Sequence, residues 1–165
     1  MEKVSTKYFS NIDLTNLEEW YESKIVLNGH TIDISISVSK KYKIDPKNIL
    51  EVDHYVENLK NNEENIRRII HQDFKEEGET NTYLDTQIEV QEEKDISALI
   101  ETIDNKLGNK EKLLSILFLL RIVFYPEQED KMFAVFDYTI DSNLTDDLLA
   151  VKLYKDKNVR IDIES

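Results

Sequence analysis

The chain is predicted to fold as an α+β domain: a single antiparallel sheet of six or seven strands, built from an N-terminal hairpin plus a C-terminal meander, with three or four helices on one face. Three observations predict it. Asn28-Gly29 lies between two β-branched segments, residues 46–107 repeat apolar side chains at helical spacing, and from Leu113 onward long apolar runs alternate with polar turns.

In chain order, Tyr8 to Ile12 suits a short first strand. A two-residue loop at Asn28-Gly29 requires positive φ at both central positions, which this pair adopts at least cost, so a hairpin forms there. The loop sets the register: Leu27 opposes His30, Ile25 opposes Ile32, Ser23 opposes Ile34 and Tyr21 opposes Ile36. One face then carries Tyr21, Ile25, Leu27, Ile32, Ile34, Ile36 and Val38, while Trp20, Glu22, Lys24, Asp33 and Ser35 alternate onto the wet face.

Asp45-Pro46 starts a helix, with Asp45 as the cap and Pro46 in the first turn, and Ile49, Val52, Val56 and Leu59 form its stripe before Asn61-Asn62 ends it. A second helix carries Ile66, Ile69, Ile70 and Phe74 and stops at Gly78, read as a left-handed cap. Residues 79–93 are divided: Tyr83, Leu84 and Ile88 suit a helix, but three threonines weaken it. Asp95 caps a further helix striped by Ile96, Leu99, Ile100, Ile103 and Leu107 as far as Gly108.

Leu113 to Tyr125 has only two non-apolar residues, Ser115 and Arg121, and reads as a buried strand entered from a short helical turn. Pro126 stops it, and Met132–Ile140 returns as a second apolar strand interrupted by Asp137. Arg121 and Asp137, the lone charges in the two strands, suggest a structural ion pair. Leu148–Lys155 and the alternating Asn158–Ile163 complete the meander, the latter as an edge.

Composition narrows the function. The chain has 165 residues and no cysteine, which excludes disulfides, thiolate metal sites and a cysteine nucleophile and fits a reducing cytoplasm. Its first twenty residues contain no apolar h-region and no cleavage-site pattern, so secretion is not expected, and its longest apolar run is too short to span a bilayer. The net charge of −13, of which −7 falls on residues 61–110, repels nucleic acid and anionic membranes and favours encounter with a basic partner. Three glycines, at 29, 78 and 108, cannot build a dinucleotide-binding loop, a P-loop or a serine-hydrolase elbow. Neither His54 nor His71 is followed by a zincin pattern, and in Asp141–Asp146 Leu144 occupies a position where a calcium loop needs an oxygen ligand. No cofactor is expected.

What remains is an acidic cluster. Glu127, Glu129 and Asp130 lie in one turn of the meander, Asp141, Asp146 and Asp147 in the next; with Trp20 on the wet face of the hairpin they are the candidate protein-binding residues. Two rival readings stand beside a non-enzymatic binding protein: a metal-assisted hydrolase using Asp137, Asp141 and His54 or Glu127, with His54 and Glu57 as a half-site, and an oligomeric domain using Trp20 and the Val159–Ile163 edge.

Tyr125-Pro126-Glu127, Val135-Phe136-Asp137-Tyr138-Thr139 and Thr145-Asp146-Asp147-Leu148-Leu149-Ala150-Val151 resemble the C-terminal strands of a family of uncharacterised small, acidic bacterial cytosolic proteins. Tyr8-Phe9 and the Asn28-Gly29 hairpin are similar to that family as well. The resemblance implies a fold rather than an activity, and beyond it an immunity-type or accessory role beside a bacterial toxin.

Overall fold

The computed structural model of the chain describes residues 2–39, 41, 43–127 and 131–165. Its first strands, β1 (Lys3–Ser5) and β2 (Asn11–Asp13), pair only with each other. They replace the single strand expected at Tyr8–Ile12. Tyr8 and Phe9 instead form the turn between them, held because the Asp53 carboxylate accepts from the amides of Lys7 at 2.8 Å and Tyr8 at 3.1 Å.

The hairpin follows its turn chemistry. Asn28 and Gly29 take φ of 51° and 79° and join β3 (Trp20–Leu27) to β4 (His30–Ser37) in the expected register, from Leu27 opposite His30 to Tyr21 opposite Ile36. The chain then leaves the sheet for about 80 residues and returns as β5 (Phe118–Phe124), β6 (Met132–Thr139), β7 (Leu148–Tyr154) and β8 (Val159–Glu164). The six strands lie in the order β3-β4-β5-β6-β7-β8. Every neighbouring pair is antiparallel except β4 and β5, so the sheet is mixed rather than wholly antiparallel. The long excursion is the cause: a connection that carries a helical layer can bring the chain back to the same end of the sheet, which a tight turn cannot do.

Five helices fill that excursion, where three or four were expected. Asp45 accepts from the Lys47 amide at 2.9 Å and starts α1 (Pro46–Glu57) as predicted. The break before α2 (Leu59–Lys75) falls at Asn58, not at Asn61-Asn62. Asn62 lies inside α2, its side-chain amide donating back to the Tyr55 carbonyl at 3.0 Å and stitching the two helices together. At the end of α2 the left-handed residue is Glu77, with φ 59°, and not Gly78. At Gly78 an added Cβ would crowd the Asp73 carboxylate, which accepts from the Thr80 amide at 2.7 Å and would have to shift.

Residues 79–90 do form a helix, α3 (Glu79–Val90), in which Thr86 turns its hydroxyl back to the Thr82 carbonyl. The stripe read from Ile96 to Leu107 divides into α4 (Glu93–Ile100) and a non-helical turn, and Gly108 precedes α5 (Asn109–Ile116), which is two turns long rather than one.

All five helices cover the same face of the sheet. Ile34, Ile36, Ile122, Phe124, Phe136, Tyr138, Leu149 and Val151 point into them and are fully buried, against Ile49, Val52, Ile70, Leu84 and Leu113. Tyr55 of α1 meets Phe124, Phe133 and Phe136 edge-on, with centroids 5.2–6.1 Å apart. One charged group crosses this layer. Glu63 of α2, 1 % exposed, accepts from Arg67 Nε at 2.6 Å and from the Tyr138 hydroxyl at 3.1 Å, and Arg67 in turn donates to the Leu117 carbonyl at 2.9 Å.

Glu63→Ala strands Arg67 and the Tyr138 hydroxyl. It should cost about 3 kcal/mol, since removing one member of a buried pair leaves the other charge uncompensated and Arg67 keeps partial contact with water. Urea midpoints check this, and the double variant Glu63→Leu/Arg67→Met should recover most of the loss.

Candidate functional site

Among the described residues, the acidic side chains of the two turns stand apart. Glu127 and Asp141 lie just beyond opposite ends of β6, an eight-residue strand, so roughly 25 Å separates them at about 3.3 Å per residue. Glu127 is only 4 % exposed. Its carboxylate accepts from the Ser39 amide and its carbonyl from Lys155, which makes it a bracket between β4, β7 and the turn. Asp141 folds its own turn by accepting from Asn143 and Leu144 amides. Asp147 accepts from Gln87 at 3.1 Å and from Ser165 at 2.9 Å, fastening α3 to the start of β7. Asp146 is exposed; Glu129 and Asp130 lie outside the described residues.

The hydrolase set is dispersed as well. Asp137 faces the side of the sheet opposite the helices, whereas His54 is on α1, and Glu57 pairs with Lys7 at 3.3 Å instead of with His54. Among the described residues no group of three or more histidine, aspartate or glutamate side chains stands where it could hold a metal ion. His30 is exposed and stacks on Phe118 with centroids 5.1 Å apart.

Two features do stand out. The first is the bare face of the sheet. Register places Lys24, Asp33, Arg121 and Asp137 side by side on neighbouring strands, with Asp162 two strands further on. Lys24 meets Asp33 at 2.8 Å, and Arg121 meets Asp137 at 2.5 Å, the ion pair expected from the lone charges of the two strands. Lys152 holds Asp162 at 3.0 Å and Glu164 at 2.8 Å. Trp20, Glu22, Lys24, Asp33, Ser35 and Arg121 line a concavity of about 410 Å³ at one end of this ladder. Lys24, Asp33 and Arg121 have partners of opposite charge within the chain, and Glu22 accepts from the Trp20 indole at 2.7 Å.

The second is a larger groove of about 1010 Å³ along α1, floored by Leu50, Tyr55 and Phe133 and edged by Asp45, Lys47, Glu51 and His54. Leu50 is 49 % exposed, a large apolar side chain outside the buried stripe of its helix. Burial of the Tyr55 ring against the phenylalanines drives its phenol pKa far upward, so it stays neutral. Sequence reading missed this groove, because Phe133 comes from a strand far along the chain. The one signal was Leu50, which falls outside the Ile49, Val52, Val56 stripe. The acidity also has a location: residues 46–107 carry sixteen acidic and seven basic side chains, −9 of the total −13. No family model matches the chain, and neither does any curated protein or solved structure.

Burial raises the Asp137 carboxyl above the usual range, and the Arg121 guanidinium offsets this only in part. A carboxyl with a higher pKa in the fold than in the unfolded chain favours the fold most at acid pH. That contribution fades as pH rises from the ordinary carboxylate range through the raised value. Asp137→Asn should therefore flatten this fall in stability. Urea midpoints over a pH series check it, and a variant with the parent's pH profile would contradict it.

Proposed function

We propose that the chain is a non-enzymatic, cytoplasmic binding protein of bacterial type that engages a basic protein partner through the groove along α1. The observation that carries this reading is the combination of an apolar floor, half-exposed Leu50 with partly buried Tyr55 and Phe133, and a helical layer that holds −9 of the chain's charge. Apolar contact supplies the anchor, and the negative field raises the rate of encounter and selects the sign of the partner. Within this reading, an immunity-type or accessory role is what the resemblance of the C-terminal strands implies.

The groove rim is not uniformly acidic, since Lys47 and His54 stand beside Asp45 and Glu51. Specificity then rests on pairing at individual rim positions, while steering comes from the layer as a whole. The matched charges of the bare sheet face give such a partner little to hold, which is why the groove is preferred over the Trp20 concavity for this role.

The test is capture from the native host's extract with the parent chain and with Leu50→Asp, at rising salt. A partner of basic pI should be retained at low salt, lost progressively as salt screens the field, and lost with Leu50→Asp at every salt. A captured protein indifferent to both changes would overturn the proposal. Leu50 is half exposed, so Leu50→Asp should keep the parent's unfolding free energy within about 0.5 kcal/mol.

A further inference from the structure

The sheet has two outer strands, and they are finished differently. Beside β8, α3 packs closely, and Arg160 and Asp162 are paired with each other at 2.9 Å. Along β3, among the described residues, no strand pairs with the free edge, and the strand is eight residues long. An uncovered edge of that length is a template for another strand. It also carries the sheet's two exposed large apolar side chains, Trp20 at 42 % and Val26 at 73 %.

The turn decides which backbone groups face outward. A two-residue turn closes on Leu27 and His30, whose amides and carbonyls bond to each other, so Ile25, Ser23 and Tyr21 likewise direct theirs to β4. The Val38 amide donating to the Glu19 carbonyl at 2.9 Å continues the same alternation. Trp20, Glu22, Lys24 and Val26 therefore present their amides and carbonyls at the free edge.

We infer that β3 is a self-recognition edge, on which a second copy of the chain adds its own β3 antiparallel about a two-fold axis at Ser23. In that register every outward backbone group meets an outward group of the second copy, because Glu22 opposes Lys24 and Trp20 opposes Val26. The side chains agree with the backbone. The sequence Trp-Tyr-Glu-Ser-Lys-Ile-Val reads, outward from Ser23, as acid against base, aromatic against β-branched, and large apolar against large apolar. Shifting by two residues either way sets Trp20 against Lys24 or Glu22 against Val26, so the centred register is the one that matches charge with charge. Lys24, which guards an edge strand against its own kind, here finds a carboxylate across the axis while keeping Asp33 on its own chain. Tyr21 and Ile25, half-buried in one copy, continue the core face across the axis. The result is one sheet of twelve strands. This association uses a surface separate from the groove along α1, and it replaces the pairing of Trp20 with the β8 edge, which lie at opposite sides of a six-stranded sheet.

Salt separates the two surfaces. Each copy carries −13, so self-association should strengthen as salt rises, the reverse of binding to a basic partner. Sedimentation of the full chain should show the mass doubling with rising concentration and salt. Glu22→Lys and Lys24→Glu, each alone, should remain monomeric, and an equimolar mixture of the two should restore the doubled mass, because each supplies the charge the other lacks. The chain has no cysteine, so Ser23→Cys places a single thiol on the axis, where opposed Cα atoms stand about 4.5 Å apart, within disulfide range. It should cross-link under mild oxidation much faster than Thr31→Cys, an exposed position on β4. A monomer at all salts, or equal cross-linking of the two thiols, overturns the inference, whether or not a basic partner is captured.

Discussion

The joint on which the two layers depend is the carboxylate of Glu63. It lies inside an apolar interface, where an uncompensated charge is intolerable, and it is held there by one group from its own helix and one from the sheet. Arg67 also reaches the Leu117 carbonyl, at the point where the chain re-enters the sheet, and its guanidinium lies 5.6 Å from the centre of the Tyr138 ring. Helix α2 can therefore sit on the sheet in one rotation and at one height only. Purely apolar contacts among isoleucines and leucines would tolerate a slide; this set of directional bonds does not.

From that joint the layout of the surface follows. With α2 fixed over β5 and β6, α1 runs alongside with Tyr55 against Phe133, and Leu50 and Phe133 line the groove between the helix and β6. On the opposite face, Lys24 with Asp33, Arg121 with Asp137 and Lys152 with Asp162 form cross-strand pairs within the sheet. The acidity collects on the helices, so the molecule has an electrically strong side and a balanced one.

Much of this was legible in the amino-acid order, for local reasons. The Asn28-Gly29 turn set eight residue pairs at once, and the Asp45-Pro46 start and the Arg121–Asp137 pair were readable from single residues in telling places. What escaped was non-local. Nothing in β4 or β5 announces that they pair in parallel, because that depends on where a helical excursion delivers the chain. The acidic turns looked alike in sequence, yet Glu127 and Asp147 are anchors with partners about 88 and 60 residues away, at Ser39 and Gln87. Glu63 and Arg67 stand four residues apart, a spacing common to surface pairs on any helix, and only Tyr138 reveals Glu63 as interior. The groove combined a helix and a distant strand and had no sequence signal beyond one misplaced leucine.

The parallel seam between β4 and β5 divides the molecule in time as well as in space. On one side, β3 and β4 close through two residues; on the other, β5 to β8 form a succession of antiparallel neighbours joined by short turns. Each half is rich in short-range contacts and can pair rapidly by itself, whereas joining them requires closing a loop of about 80 residues. The seam is thus the strand pairing with the largest loop-closure cost in the sheet. Until it forms, β4 exposes Ile32, Ile34 and Ile36 along an unpaired strand, and the nascent chain is most exposed to mispairing while the helices are being made.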